Sequence, residues 1–120
     1  MLRIIALCAA LSVLPLSSAA WADQFTTVTN KNDFVSLISG RHLTRQGIKL
    51  AVSPGGAIAG RGFGRDVSGD WSWKGGYFCR DLFWGKRDLG FNCQQVQVNG
   101  STLRFTSDRG AGRSADLRLR

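Results

Sequence analysis

The sequence predicts a mainly β fold of the α+β kind. It would be an antiparallel meander of about seven or eight strands, curled into a small barrel or sandwich behind one N-terminal amphipathic helix. Three observations carry this. Apolar residues alternate with polar ones in short runs, as half-buried strands require. Glycine-rich turn signals recur about every 8 to 12 residues. Only one stretch, Thr26 to Gly40, has helical spacing.

Residues 1–22 read as a signal peptide. Arg3 gives a positive start, residues 4–14 (IIALCAALSVL) form an apolar run, and Pro15 breaks it before the small-x-small site Ala20-Trp21-Ala22. The run is shorter than the roughly 20 residues a membrane-spanning helix needs, so no transmembrane segment is expected in the mature chain. Cleavage after Ala22 leaves residues 23–120 as a single small domain, periplasmic or secreted. Cys8 leaves with the signal, and Leu7 before it does not suit a lipid-attachment site.

The helix comes first in the mature chain. Thr29, Asn30 or Asn32 can cap it, Asp33 suits the positive end of its dipole, and Phe34, Leu37 and Ile38 make one apolar stripe. Gly40 is the expected stop. Strands follow. Ile48, Leu50 and Val52 alternate with polar or small residues, Ser53-Pro54-Gly55-Gly56 turns the chain, and Ala57 to Arg61 returns it. Trp71 and Trp73 share one face of the next strand. After Gly75-Gly76, the strand Tyr77 to Trp84 puts Phe78, Arg80, Leu82 and Trp84 on one face and Tyr77, Cys79, Asp81 and Phe83 on the other. A basic loop, Gly85 to Gly90, leads to Phe91 to Val98. Asn99-Gly100 is a hairpin signal into Thr102 to Thr106, and Leu117 and Leu119 belong to a closing strand.

Cys79 and Cys93, an even pair in an exported chain, are expected to form a disulfide. For a closed loop of this length the chain-entropy model gives about 3 kcal/mol. A two-ligand metal site is the rival, but no His or Glu sits nearby to complete it, and no metal is expected. The whole chain carries +8; residues 1–22 contain one Arg and no acid, so the mature part carries +7. Eleven of its fifteen basic residues are Arg, and every acid is Asp. Arg favours bidentate contact with carboxylate or phosphate, which suits an anionic partner, although a solvated basic surface is the plainer explanation. Candidates in the cell envelope are lipid headgroups, acidic polysaccharide or an acidic protein. No specific nucleic acid is implied.

Little is available for catalysis. His42, the only histidine, has no carboxylate or nucleophile adjacent in sequence and reads as a solvent-facing strand residue. No catalytic residue is assigned. The aromatic cluster Trp71, Trp73, Tyr77, Phe78, Phe83, Trp84 and Phe91 around the two cysteines reads first as core, with one or two members exposed. Its functional reading is a partly open groove rimmed by Lys74, Arg80, Lys86 and Arg87, with Trp84 among its aromatics, for a sugar or a protein partner. Asp66, Asp70, Asp81 and Asp88 fit no EF-hand spacing.

With its Trp71-x-Trp73, Cys79-Arg80 and Asn92-Cys93-Gln94 motifs, the chain resembles, over residues 43–119, a family of small exported bacterial proteins of unknown function, some under the name of dihydrodipicolinate reductase. The glycine run Gly60-Arg61-Gly62-Phe63-Gly64 is similar to that enzyme's dinucleotide loop. Such a loop must follow a parallel strand and open a helix, yet turn and strand residues follow here, and the reductase's paired histidines and catalytic Lys have no match. No cofactor is therefore expected. Small exported lysozyme inhibitors are similar in size and β architecture, but a basic inhibitor would repel a basic target. The expectation is a non-enzymatic binding or interaction module of the envelope, with a basic and aromatic surface for an anionic or protein partner. The alternative is a reductase-like enzyme using the Gly60–Gly64 loop.

Overall fold

A computed structural model describes residues 24–120, together with Ala10 and Ser12. The signal-peptide reading of residues 1–22 lies outside the described residues. The chain runs β1 (Thr26–Thr27), α1 (Lys31–Ile38), β2 (Leu43–Arg45), β3 (Ile48–Val52), β4 (Ala57–Gly62), β5 (Arg65–Lys74), β6 (Tyr77–Trp84), β7 (Arg87–Asn99), β8 (Thr102–Thr106) and β9 (Ser114–Leu119). All pairings are antiparallel. Strands β2 to β9 close on themselves: β2 pairs with β9, β9 with β8, and β8 with β7, while β1 adds to β7. The fold is thus a closed eight-stranded meander barrel with one extra strand, and closure leaves few free sheet edges. Among the described residues no helix is long and apolar enough to cross a membrane.

Several elements differ in extent from the sequence reading. The helix is shorter, because Thr26 and Thr27 pair with Val98 and Gln97 as a strand. It starts at Lys31, where the Asn30 side chain accepts a hydrogen bond from the Asp33 N–H. It ends at Ser39, whose N–H donates to the Val35 carbonyl, and Gly40 then turns the chain at φ +70°. The residues between the glycine run and Trp71 form the first half of β5, since Asp66 to Asp70 pair with Arg61 to Ala57. The basic loop shrinks to Gly85-Lys86, because Arg87 and Asp88 already pair with Trp84 and Phe83.

The meander alternates its turns between two ends. One end carries the turns after β3, β5 and β7 and is covered by α1. The helix stripe inserts there: Phe34 is completely buried, with ring centroids 5.1 Å from Trp71, 5.2 Å from Trp73 and 5.1 Å from Phe78. Ile38, Val96, Leu103 and Leu119 complete this part of the core. Trp71 is fixed by its indole N–H, which donates to the Ser53 carbonyl at 2.8 Å. The other end carries the turns after β2, β4 and β6 and the segment 107–113, which holds a single 3-10 turn at Asp108–Gly110; among the described residues no α-helix covers this end.

Gly60 and Gly69 occupy register positions that face inward. A Cβ at Gly60 would lie 2.1 Å from the Lys49 carbonyl oxygen, and one at Gly69 would lie 2.1 Å from that of Asp81. At these points the neighbouring backbone fills the space a side chain would take, as at the tight bends of a small barrel. Gly69→Ala is expected to lower stability by about 1–3 kcal/mol through overpacking, read as a lower denaturant midpoint. An unchanged midpoint would mean that the sheet can widen at this bend.

The disulfide Cys79–Cys93 is present, with a Cα–Cα distance of 3.9 Å between direct cross-strand partners. It lies on the opposite face of β6 from Phe78, so the buried aromatics pack on α1 and not on the disulfide. Beyond it, β7 changes partners. Residues Gln95 to Asn99 pair with β8, whereas Arg87 to Gln94 pair with β6. The segment after β8 meets this stretch through Asn92, whose side chain donates to Asp108 Oδ1 and accepts from the Asp108 N–H.

Candidate functional site

The uncovered end is built from hairpin turns that carry apolar residues. The turn between β4 and β5 is Phe63-Gly64, with both residues at positive φ (49° and 80°). A bulky side chain in this region costs on the order of 1 kcal/mol of backbone energy, yet Phe63 is 69% exposed. The ring lies over Gly47 in the turn between β2 and β3, where a Cβ would come within 2.7 Å of it. Leu89 is 46% exposed on the β6–β7 hairpin, and Phe83 and Phe91 are exposed on the outer face of the same hairpin. One or two exposed members of the aromatic cluster were expected from the sequence; exposed Phe63 and Leu89 were not.

Behind this rim two connected open spaces enter the barrel. An outer space of about 330 Å³ is walled by Ile48, Leu50, Val67, Leu82, Trp84 and the rim residues Phe63 and Leu89. An inner space of about 210 Å³ shares the walls Leu50 and Leu82 and reaches Val52, Phe78, Arg80 and Gln94. Mouths of barrels are a common place for small-molecule sites, and an eight-stranded barrel is just wide enough to be filled by its own side chains or to hold one small ligand.

Arg80 is the charged residue of the inner space. It stands between Phe78 and Leu82 on the inward face of β6, half-buried, and its Nη1 donates to the Gly90 carbonyl at 2.7 Å. Burial draws its pKa below the ordinary guanidinium value, and the Asp81 carboxylate pulls it back up. The group stays charged at neutral pH all the same. Among the described residues the ion pairs are Arg61–Asp66 and Arg104–Asp116, and neither involves Arg80.

The other residues singled out in the sequence are divided between the two ends. Trp84 is half-buried in the outer wall; its indole N–H donates to the Gly62 carbonyl at 2.7 Å, and the Arg65 guanidinium stacks 4.5 Å from its ring. Lys86 and Arg87 are exposed at the turn beside it. Lys74 is exposed at the covered end, beside the turn into β6. A strand rises about 3.3 Å per residue, so the length of β6 separates Lys74 from Lys86 by more than about 20 Å. The four cations therefore do not rim one groove: Lys86 and Arg87 border the mouth, Arg80 is inside, and Lys74 is apart.

Two features that bear on catalysis also have a place. A shallow hollow on the outer face holds both His42 and Asp116, with Arg45, Lys49 and Arg118. His42 pairs through its backbone with Arg120, and Asp116 lies four residues earlier on β9, about 13 Å along the strand. The Asp116 carboxylate is held by Arg104 at 2.8 and 3.1 Å, and that hydrogen bond keeps its pKa below the usual carboxylate value. The two groups do not form an acid–base pair. The glycine run closes β4 and turns into β5; Arg61 donates to the Gly64 carbonyl at 2.6 Å and pairs with Asp66. It lacks the helix N-terminus on which a pyrophosphate would sit. Among the described residues no three His, Cys, Asp or Glu side chains gather as a metal-binding set.

Comparison with models of known protein families, with curated proteins and with solved structures gives no significant match.

Proposed function

We propose that the chain is an exported, non-enzymatic binding module of the cell envelope that works through the uncovered end of its barrel. The observation that supports this is the pairing there of an apolar rim, Phe63 and Leu89, with exposed cations, Lys86 and Arg87. Large exposed apolar residues beside a concave opening favour contact with a partner, and the +7 charge of residues 23–120 favours an anionic one. Periplasmic or secreted placement is supported by the disulfide, which persists in oxidising compartments. It requires Asp23 at the N-terminus of the exported protein; an intact Met1 form confined to the cytoplasm would refute it.

The binding test uses envelope fractions and the double variant Lys86→Glu/Arg87→Glu. The wild type should be retained at low salt and released as the Debye length falls from about 10 Å at 0.1 M to about 3 Å at 1 M. The variant should be retained poorly and yet melt at the wild-type temperature, because both side chains are exposed. Equal retention of both proteins at every salt concentration would end this reading.

A further inference from the structure

We infer that the barrel interior is a site for a single-chain amphiphile bearing one carboxylate, with the carboxylate on Arg80 and the chain lying in the outer space toward Phe63. This rests on the reading of the uncovered end as the working end and names what enters it.

The walls argue for the chemistry. The outer space is apolar throughout, and the inner space is apolar apart from Arg80 and Gln94. Gln94 is already engaged, donating to the Ser107 hydroxyl at 3.3 Å. Arg80 offers five N–H donors, of which one is committed to Gly90, and no carboxylate of the described chain pairs with it. The Asp81 carboxylate, next along β6, acts on Arg80 only through space and makes no ion pair with it. A partly desolvated guanidinium gains from a direct partner, and a carboxylate matches its planar fork with two parallel hydrogen bonds. One guanidinium balances one negative charge, which disfavours a phosphate dianion. The direction of the chain follows from the shared walls. From Arg80 the interior continues past Leu50 and Leu82 into the wholly apolar space and ends at the rim. Lys86 and Arg87 beside the opening give it a positive field that draws anions in.

The test is calorimetric titration of the mature protein with dodecanoate, with dodecanol and with butyrate. Dodecanoate should bind saturably, one per chain. Dodecanol has the tail without the charge and butyrate the charge without the tail, and each should bind at least about 10-fold more weakly. Arg80→Met keeps the aliphatic stem and should lose about 10- to 100-fold in dodecanoate affinity, with no loss for dodecanol. Should that variant fail to fold, the wild-type comparison of acid with alcohol still decides. Dodecanol binding as tightly as dodecanoate, an unchanged affinity in Arg80→Met, or no saturable binding would each overturn the proposal. So would self-association abolished by Phe63→Ser with no response to dodecanoate, since the rim would then seat a second copy. The surface reading is separable: envelope retention that still depends on Lys86 and Arg87 without dodecanoate binding refutes the interior site alone. Dodecanoate binding without such retention refutes the surface reading alone.

Discussion

Phe34→Ala should destabilise the domain by about 3–5 kcal/mol, the range for truncating a fully buried aromatic. Phe34 has no exposed surface and meets four aromatic rings, Trp71, Trp73, Phe78 and Phe105, from three different strands. Its removal leaves a void at the covered end and removes the main anchor of α1. An eight-residue helix has no stability of its own in water, so α1 depends on that anchor. A domain of this size holds only a few kcal/mol in reserve. The measurement is urea unfolding followed by far- and near-ultraviolet circular dichroism. The near-ultraviolet signal of Trp71 and Trp73 should weaken even where the barrel survives. A loss below about 1 kcal/mol would show that the helix is not the plug of this barrel.

Replacing Cys79 and Cys93 together by Ala should cost about 2–5 kcal/mol, the range for removing a native disulfide from a small secreted domain. The location supports the upper part of that range. Around Cys93, β7 has β6 on one side and only the Asn92–Asp108 contacts and the weak Gln94–Ser107 bond on the other. The disulfide ties the projecting β6–β7 hairpin, with Trp84, Lys86 and Leu89, to the rest of the barrel. The check is denaturant unfolding of oxidised and reduced wild type beside the double variant, with non-reducing peptide mapping of the oxidised form. Equal midpoints for oxidised and reduced protein would mean that the strand pairing alone holds this hairpin.

Much of this architecture could be read from local signals. Gly75-Gly76 and Asn99-Gly100 turn the chain where expected, and Phe34 and Ile38 of the helical stripe are buried. The alternation along β6 correctly set Arg80 on the face of Phe78, Leu82 and Trp84. Local pattern could not distinguish a barrel from a sandwich, because closure depends on Leu43 meeting Leu119, far apart in the sequence. Thr26 and Thr27 were read into the helix because a two-residue strand has no period to detect. The rim was missed for a related reason. Phe63 sits between two glycines and looks like part of a flexible run, whereas it is the tip of a tight hairpin. The candidate site was only partly legible: residue types suggested an aromatic and basic surface, but the length of β6 decided that Lys74 lies away from the mouth.

The seam between β2 and β9 also governs how this barrel comes together in time. Apart from that seam and the short β1–β7 pairing, every pairing joins strands that follow one another in the chain. Such hairpins form on their own within about 1–10 μs. The seam must instead bring the two ends of the barrel sequence together, at a loop-closure cost that grows only with the logarithm of chain length. Without that seam the curled sheet would present β2 and β9 as two free edges. Free edges of this kind are templates for pairing with another chain, and the seam between β2 and β9 removes both of them at once.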